Sequence, residues 1–252
     1  MTLNEIRLYL DALLNTDSLG GNLNLKEYNY LLKDESNNFF KEKAEELYST
    51  QRAGALAPDM VYASKIMRPF IKESTVTPVL GIVNLSTLLT SYAYFINART
   101  ASAYSGQIRD IPLITHDSFN NMISNLLATP IKKNPVCTID ENNLRIRPTN
   151  ITSVIINYLR FPATPVFDYY IDANDNVVYL AVSSNHTLTT GETGSAGQTS
   201  GTIVYSATVE LEFGADFHPE FVQRLVRRLG LPERDQVVLQ QGMIDKQEQE
   251  AK

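Results

Sequence analysis

The segment most suggestive of chemistry is 189–202, TTGETGSAGQTSGT, which combines closely spaced glycines with hydroxyl side chains. Such segments can bind phosphate or carry a nucleophile. A phosphate loop also needs a basic residue and a following helix, but no Lys or Arg occurs between Arg160 and Arg224, and the next residues alternate like a strand. A nucleophile turn centred on Thr199 requires a following helix as well, so neither chemistry fits. We predict the tip of a long hairpin.

The composition of this tip also predicts how it becomes ordered. Its small residues carry a conformational entropy cost of about 1 kcal/mol or more per ordered residue, and no large apolar side chain is present to offset it. We hypothesise that the tip is mobile in an isolated subunit and is ordered by contact with a neighbouring one. The alternative is a loop that stays disordered. Glu192, Gly194, Gly197 and Gly201 are therefore candidate interface residues.

Residues that could bind a metal or perform catalysis lack the required spacing. The sequence DANDN at 172–176 resembles the start of a calcium loop, but Val177 occupies the glycine position and Ser183 the position of the bidentate acid. A hairpin turn is predicted instead. The single cysteine, Cys137, lies in the strand-like PVCTID and is interpreted as a buried structural thiol. We expect no catalytic residue, no cofactor and no metal.

The three histidines are scattered along the chain. His218 precedes Pro219 in the first turn of a predicted helix and is interpreted as a surface residue. His116 and Asp117 could meet Cys137 in the fold, which leaves an enzyme with dispersed catalytic residues as one hypothesis. Because the chain contains no local catalytic signature, the sequence favours a structural or interaction protein.

The overall composition is that of a soluble globular protein, with 43% hydrophobic and 20% charged residues in a chain of 252. No apolar run is long enough to span a membrane. Charged residues near the start of the chain argue against a signal peptide, so we expect assembly inside a cell. A net charge of −6 argues against general nucleic-acid binding as the main task.

Charge is unevenly distributed in the last third of the chain. Residues 161–223 contain no Lys or Arg but eight acids, which are Asp168, Asp172, Asp175, Glu192, Glu210, Glu212, Asp216 and Glu220. Three arginines follow, Arg224, Arg227 and Arg228. This segregation favours an acidic and a basic face for assembly with a partner, and a solvated acidic face is the alternative. Glu210, Glu212 and the three arginines therefore join the candidate interface.

Sequence periodicity predicts an α+β fold. Residues 1–72 are predicted as an N-terminal helical region. Residues 73–216 are predicted as an antiparallel β region forming a central sheet, with an inserted helix near 117–128 and a long hairpin whose tip is 183–202. Residues 217–252 are predicted as C-terminal helices that pack on the sheet and form one compact unit with the first region.

Capping patterns indicate where the first helices begin. Thr2–Glu5 and Asn24–Glu27 each place a capping residue three positions before a glutamate, and the second helix is predicted to end near Tyr48. Pro58 and Pro69 are predicted to bound a third helix.

The region after the hairpin tip has the clearest pattern. In 202–213, TIVYSATVELEF, apolar residues occupy the odd positions, which predicts a strand with those positions turned inward. Asp216 is predicted to cap the next helix. The apolar stripe of that helix, Phe221, Leu225 and Leu229, is predicted to be buried.

Four segments occur in order over most of the chain, and they are YNYLLKDESNNFFKEKAEELY, ITHDSFNNMISNLL with the following TPIKKNPV, INYLRFPATPVFDYY, and VELEFGADFHPEFVQRLVRRLGL. Together they resemble head-to-tail connector proteins, or neck ring proteins, of tailed phages, notably crAss-like phages. The likeness consists of loose patterns, without an invariant motif. The Gly/Ser/Thr tip departs from the pattern, in which a short connection joins the last two strands.

The resemblance implies a structural virion protein without catalytic activity. It implies a homo-oligomeric ring with twelve-fold symmetry beneath the portal, in contact with the portal protein and with other neck or tail rings, and with the genome passing through its lumen. We expect no membrane partner and no sequence-specific nucleic-acid recognition. The protein would be located in the virion after assembly in the host cytoplasm. A receptor-binding or decoration protein, with the tip as its recognition loop, is the alternative.

Overall fold

A computed structural model describes residues 1–16, 24–53, 65–101, 108–125 and 129–229. The predicted α+β fold is confirmed, with N-terminal helices, antiparallel strands and a C-terminal helix. The chain divides into two compact units: unit 1 combines Met1–Pro69 with Pro162–Lys252, and unit 2 is Phe70–Phe161. The division falls inside the predicted β region, so residues 162–216 belong to the same unit as the terminal helices.

The helices are α1 (Leu3–Thr16), α2 (Leu25–Ala53), α3 (Leu85–Leu88), α4 (His116–Ser124) and α5 (His218–Arg228). The strands are β1 (Ile71–Val76), β2 (Ile82–Asn84), β3 (Tyr92–Thr100), β4 (Asp110–Ile111), β5 (Val136–Asp140), β6 (Asn143–Arg147), β7 (Val154–Arg160), β8 (Tyr169–Ile171), β9 (Val177–Tyr179), β10 (Asn185–Thr187), β11 (Thr193–Gly194) and β12 (Ile203–Tyr205).

The first two helices begin where their capping residues predict. Thr2 and Glu5 form a reciprocal capping box, in which the Thr2 N–H donates to Glu5 Oε2 at 2.9 Å and the Glu5 N–H donates to Thr2 Oγ1 at 3.2 Å. Asn24 Oδ1 accepts a hydrogen bond at 3.0 Å from a backbone N–H in the first turn of α2. Helix α2 is longer than predicted, since it continues past Tyr48 to Ala53.

Unit 1 joins chain segments that lie far apart in sequence. Asn29 of α2 and Phe167 exchange two hydrogen bonds: Asn29 Nδ2 donates to the Phe167 carbonyl at 3.1 Å, and the Phe167 N–H donates to Asn29 Oδ1 at 2.8 Å. The ring of Tyr28 meets that of Phe167 edge-on at 5.6 Å, and its hydroxyl donates to the Leu3 carbonyl at 2.8 Å. These contacts bring α1, α2 and the segment after residue 162 into one core.

Helix α5 closes this core. Its predicted apolar stripe is confirmed at Phe221 and Leu225, which are fully buried, while Leu229 is half-buried. The ring of Phe39 in α2 lies 6.1 Å from that of Phe221 and 4.9 Å from that of Phe213. Helix α5 therefore packs on the long helix α2, where the sequence predicted packing on the sheet.

The predicted cap of α5 is wrong. Asp216 lies in a short 3-10 turn, Ala215–Phe217, and the N-cap position of α5 is Phe217, which makes no capping hydrogen bond with its side chain. The Asp216 carboxylate accepts a hydrogen bond from Lys65 Nζ at 2.6 Å instead. This partner is distant in sequence, so the local pattern did not reveal it.

The strands of unit 1 are short and form two small sheets. One is three-stranded with the order β11-β8-β9, and the other is the ribbon β10-β12. The predicted turn between β8 and β9 is confirmed at residues 172–176. The segment 202–213 is not one continuous strand, because β12 ends at Tyr205 and only Val209 pairs again, in a bridge with Val166.

The predicted facing of β12 is wrong. Val204 is buried, whereas Ile203 and Tyr205 on either side of it are exposed. Val204 forms a small apolar cluster with Leu180 and Leu188. That cluster decides which face of the strand turns inward, and alternation alone shows only that the two faces differ.

Unit 2 contains two antiparallel sheets whose apolar side chains form a common cluster. One sheet has the order β1-β7-β3-β4 and the other has the order β2-β6-β5. Val154, Ile156 and Tyr158, which share one face of β7, are buried in this cluster. Leu144 and Ile146 of β6 contribute from the other sheet.

Unit 2 also contains a tight hairpin and the predicted inserted helix. Strands β5 and β6 form a hairpin in which Asp140 pairs with Asn143 across a two-residue turn. The inserted helix is α4, and Thr115 is its N-cap, since Thr115 Oγ1 accepts from the Ser118 N–H at 3.4 Å.

A second tight turn in unit 2 has no sequence signal of the usual kind. Val79 and Ile82 exchange two backbone hydrogen bonds of 2.9 Å, so Leu80 and Gly81 form a two-residue loop. Both have positive φ, 52° and 76°, as a type I′ turn requires. Only glycine fits the second position, because a Cβ there would lie 2.6 Å from the carbonyl oxygen of Ile146.

Two predicted helices fall largely outside the described residues. Of the third helix, between Pro58 and Pro69, the structure describes residues 65–67, which are helical, and the following 3-10 turn Arg68–Phe70. The helix predicted after residue 229 lies entirely outside the described part.

Replacing the fully buried Leu225 with Asp is expected to prevent folding of unit 1 or to cause aggregation, because an unpaired charge in an apolar core costs several kcal/mol. Arg227→Asp, on the exposed side of the same helix, is the matched control and should change the free energy of unfolding by about 0.5 kcal/mol or less. Thermal unfolding followed by circular dichroism measures both variants. A soluble Leu225→Asp protein with wild-type cooperative unfolding would contradict the packing of α5.

Candidate interaction surfaces

A buried carboxylate anchors the glycine-rich segment to its own chain. Asp168 Oδ1 accepts hydrogen bonds from Ser195 Oγ at 2.6 Å and from the Tyr169 N–H at 2.9 Å. Asp168 Oδ2 accepts from the Ala207 N–H at 2.8 Å. Three donors thus compensate a charge that has little contact with solvent. They also hold Ser195 of the segment next to Asp168, which precedes β8, and next to Ala207, which follows β12.

The segment contains a strand of its own. Thr193 and Gly194 form β11, which pairs with β8, and the Gly194 N–H donates to the Gln198 carbonyl at 2.9 Å. Gly194 is buried, and a Cβ there would lie 2.3 Å from Gln198 Oε1 and 3.2 Å from Val204 Cγ2. The expectation that the tip lacks ordering contacts within its own chain is therefore wrong, because backbone hydrogen bonds replace the missing apolar contacts. Its contact with a neighbouring subunit remains a prediction.

The other glycines proposed for the interface are placed differently. Gly197 and Gly201 are exposed and have φ values of 79° and 86°. A Cβ at either position would have no neighbour within 4 Å. These two glycines are required by the backbone conformation of turns, whereas Gly194 is required by close packing.

Glu192 is engaged within the segment. Its Oε2 accepts from the Thr189 N–H at 2.6 Å and lies 2.9 Å from His186 Nε2. These two hydrogen bonds hold the pKa of the Glu192 carboxyl below its ordinary value. The His186 ring stacks on Tyr170 with the centroids 4.0 Å apart. The carboxylate thus ties the segment to β10, whose His186 contacts β8, and is already engaged within its own chain.

Two other acids of the predicted face are used in the same way. Glu210 Oε2 accepts from the Leu3 N–H at 2.8 Å, and its Oε1 accepts from the Tyr179 hydroxyl at 2.5 Å. Glu212 accepts from the Ala163 N–H at 2.7 Å. Both carboxylates hold parts of unit 1 together.

Two of the three arginines of the predicted basic face form ion pairs within unit 1. Arg224 forms a bidentate pair with Glu42 of α2, at 2.7 and 2.5 Å. Arg228 pairs with Asp34 and, at 3.3 Å, with Glu35. Arg227 is exposed. Arg224 and Arg228 meet the acids of α2 because α5 packs along that helix.

His218 is buried, and its placement on the surface was wrong. Its Nε2 donates to the Phe213 carbonyl at 3.0 Å in the packed junction before α5. Burial lowers the pKa of His218 below its ordinary value, and the Phe213 hydrogen bond and Glu210 oppose that effect. The neutral imidazole is therefore part of the core of unit 1.

The proposed meeting of His116 and Asp117 with Cys137 receives no support from their environments. His116 and Asp117 are exposed at the start of α4. Cys137 is fully buried in β5, as predicted, with its sulfur 3.5 Å from the Ile111 carbonyl oxygen. Burial raises the pKa of the thiol to about 12, so it stays protonated at neutral pH and is a poor nucleophile.

An open cavity of about 620 Å³ lies beside α2 and α5 and was not predicted. Tyr30, Leu31 and Leu229 supply its apolar lining, and Asp34 and Arg228 supply polar groups. Asp34 and Arg228 already pair with each other. Glu27, Lys33 and Asn37 also line the cavity, so it combines an apolar floor with polar and charged groups.

Among the described residues, each unit exposes a group of apolar side chains that falls within the predicted β region, 73–216. On unit 2, Val79, Leu80 and Ile82 are 72%, 80% and 44% exposed at the type I′ turn. On unit 1, Ile203 and Tyr205 are 51% and 71% exposed on the outer face of the β10–β12 ribbon. The Leu-Gly pair at the turn was the only available signal, and it is weak, because Asn-Gly is the usual pair there.

Comparison with models of known protein families gives no match, and neither does comparison with curated proteins. In the ranges that the structure describes, no group of three or more His, Cys, Asp or Glu side chains is placed to hold a metal ion. Among the described helices, none is long and apolar enough to cross a bilayer. We therefore infer function from the surfaces described above.

Asp168→Asn is expected to lower the free energy of unfolding by about 1–3 kcal/mol, because an amide group replaces one acceptor oxygen and leaves Ser195 or Ala207 without a partner. Asp175→Asn, at an exposed position of the β8–β9 turn, makes the same change of charge and serves as the control. Hydrogen exchange of the 188–202 peptide should become faster in Asp168→Asn alone. Equal exchange in both variants would show that the carboxylate does not anchor the segment.

His218 predicts a pH dependence of stability. Because its pKa is lower in the folded protein than its ordinary 6.5, the unfolded state binds more protons as the pH falls below that value. Stability should therefore decline from about pH 6.5 downward until the folded pKa is reached. His218→Gln, which keeps a donor for the Phe213 carbonyl, should remove this part of the slope in urea unfolding. Identical slopes in the two proteins would refute the assignment.

Proposed function

We propose that the protein is a structural virion component that forms a homo-oligomeric ring at the head-to-tail connection of a tailed phage, beneath the portal. The resemblance to neck ring proteins supports this proposal, because its segments occur in order through both units. The role is mechanical: each subunit holds its neighbours and the adjoining rings in register, and no reaction is assigned to it.

The observation that carries the proposal is the opposite charge of the two units. Unit 2 contains eight basic and five acidic residues, a net charge of +3. Unit 1 contains the remaining 14 basic and 23 acidic residues, a net charge of −9, and the two values together give −6. Such a subunit favours contact between unit 2 of one copy and unit 1 of the next. Repeated contacts of this kind form a ring when the rotation from one copy to the next closes the circle.

This separation of charge replaces the one expected from the sequence. Arg224 and Arg228 are paired with α2 and contribute little to an outward basic face. The basic surplus lies instead on unit 2, a contiguous piece of chain. The acidic surplus of unit 1 includes Asp172 and Asp175, in the β8–β9 turn of a segment that contains no Lys or Arg.

The purified chain should form closed rings of uniform stoichiometry, measured by native mass spectrometry and negative-stain electron microscopy. Salt screens attraction between opposite charges, with a Debye length of about 10 Å at 0.1 M, so the rings should be favoured at low ionic strength. A chain that stays monomeric at low salt and high micromolar concentration would contradict ring formation.

The location of the protein requires a separate test. Mass spectrometry of purified virions should detect the chain in a fixed copy number, and electron cryomicroscopy should place it next to the portal. Copies spread over the capsid, or placed at the tip of the tail, would instead support the decoration or receptor-binding alternative.

A further inference from the structure

The exposed turn of unit 2 has the character of a binding element. Val79, Leu80 and Ile82 form an apolar tip in which Leu80 is the most exposed side chain. Leu80 also adopts a left-handed φ of 52°, which is unfavourable for leucine and is adopted readily by Asn or Gly. Nothing within the hairpin requires leucine at this position. A strained and exposed apolar residue is a feature of contact sites.

Basic residues border this tip. Ile82 pairs directly with Arg145 of β6, and the Gly81 carbonyl accepts from the Ile146 N–H at 2.7 Å. Arg145 and Arg147 therefore lie on the strand beside the turn. The Arg145 side chain pairs with Asp140 at 2.6 Å and is 45% exposed. The tip is thus an apolar projection with cations at its edge.

Unit 1 carries an apolar surface with the opposite charge nearby. Ile203 and Tyr205 lie on the outer face of the ribbon, opposite the buried Val204. The glycine-rich segment connects β10 to β12, and its Gly191 packs against the β8–β9 turn. That turn presents the carboxylates of Asp172 and Asp175. The hydrogen bonds that Asp172 Oδ1 accepts from two backbone N–H groups, both at 2.8 Å, fix the shape of the turn.

We propose that the Val79–Ile82 tip of one copy docks on the Ile203–Tyr205 face of a second copy, with the basic border of the tip opposite the acidic turn. This inference rests on the proposed ring and names the surfaces that form it. The two surfaces lie on different units, so the contact is heterologous, and each copy uses both surfaces once. A closed ring then leaves neither apolar surface exposed to water.

The occupant is a second copy because the two surfaces complement each other in both apolar character and charge. Two copies of the tip would bring like charges together, and so would two copies of the ribbon face. The glycine-rich segment has a positioning role in this contact: its anchor at Asp168 fixes the ribbon and the acidic turn relative to one another.

Cysteine cross-linking of the full chain tests this contact. In a Leu80→Cys/Tyr205→Cys double variant, mild oxidation should produce a ladder of joined chains that extends to the full ring and is reversed by a reductant. Each single variant should give no ladder, because a chain with one engineered cysteine can join only one other chain. The native Cys137 is fully buried and does not compete. A Leu80→Cys/Leu8→Cys variant pairs the tip with another exposed residue of unit 1 and should give no ladder.

A substitution at the turn separates assembly from folding. Leu80→Asn relieves the left-handed strain, so the monomer should unfold at a higher temperature than wild type, while the concentration needed for half-assembly should rise at least tenfold. Tyr205→Asp, at an exposed position, should raise the assembly concentration by a similar factor and leave monomer unfolding unchanged.

The possible results are distinguishable. If Leu80→Asn and Tyr205→Asp form rings at the same concentration as wild type, and the double variant gives no ladder, this contact is overturned. The proposed ring is not contradicted by that result. A cross-linked product that runs as a single chain would place the two residues together within one copy and would also overturn it. Failure of the wild-type chain to form any ring would count against the proposed function.

Discussion

Pairing between α2 and the chain that follows residue 162 is the contact on which unit 1 depends. Asn29 satisfies both the N–H and the carbonyl of Phe167, as a neighbouring strand would. The N-terminal helices have no sheet of their own, so the apolar face that contains Phe39 is buried only when the last third of the chain folds on it. Arg224 and Arg228 then meet the acids of α2 and fix the position of α5 along it.

Features set by neighbouring residues could be predicted from the sequence, and features set by distant residues could not. The Thr2–Glu5 capping box and the stripe of α5 depend on positions three or four apart, and both are found. One partner of Arg224, Glu42, lies 182 positions away, so the sequence did not show that the two side chains form an ion pair. The anchor of the glycine-rich segment, between Asp168 and Ser195, escaped prediction for the same reason.

Glycine and leucine both show that composition leaves backbone conformation undecided. Closely spaced glycines suggest mobility, yet in this segment Gly197 and Gly201 supply the positive φ that tight turns require, and Gly194 allows close packing. A leucine in a strand-like sequence suggests a core position, yet Leu80 lies at the tip of a turn. In both cases the backbone conformation decides the meaning of the residue. Composition reports flexibility or hydrophobicity and leaves conformation open.

The discontinuity of unit 1 has a consequence for biosynthesis. Unit 2 is a single stretch of chain whose first and last strands, β1 and β7, pair side by side, so all of its partners leave the ribosome together. Helices α1 and α2 emerge earlier but cannot bury their apolar faces until the final third has been translated. Unit 2 therefore folds before unit 1 during synthesis. In the interval the apolar faces of α1 and α2 are exposed, and these two helices are the part that needs protection by chaperones.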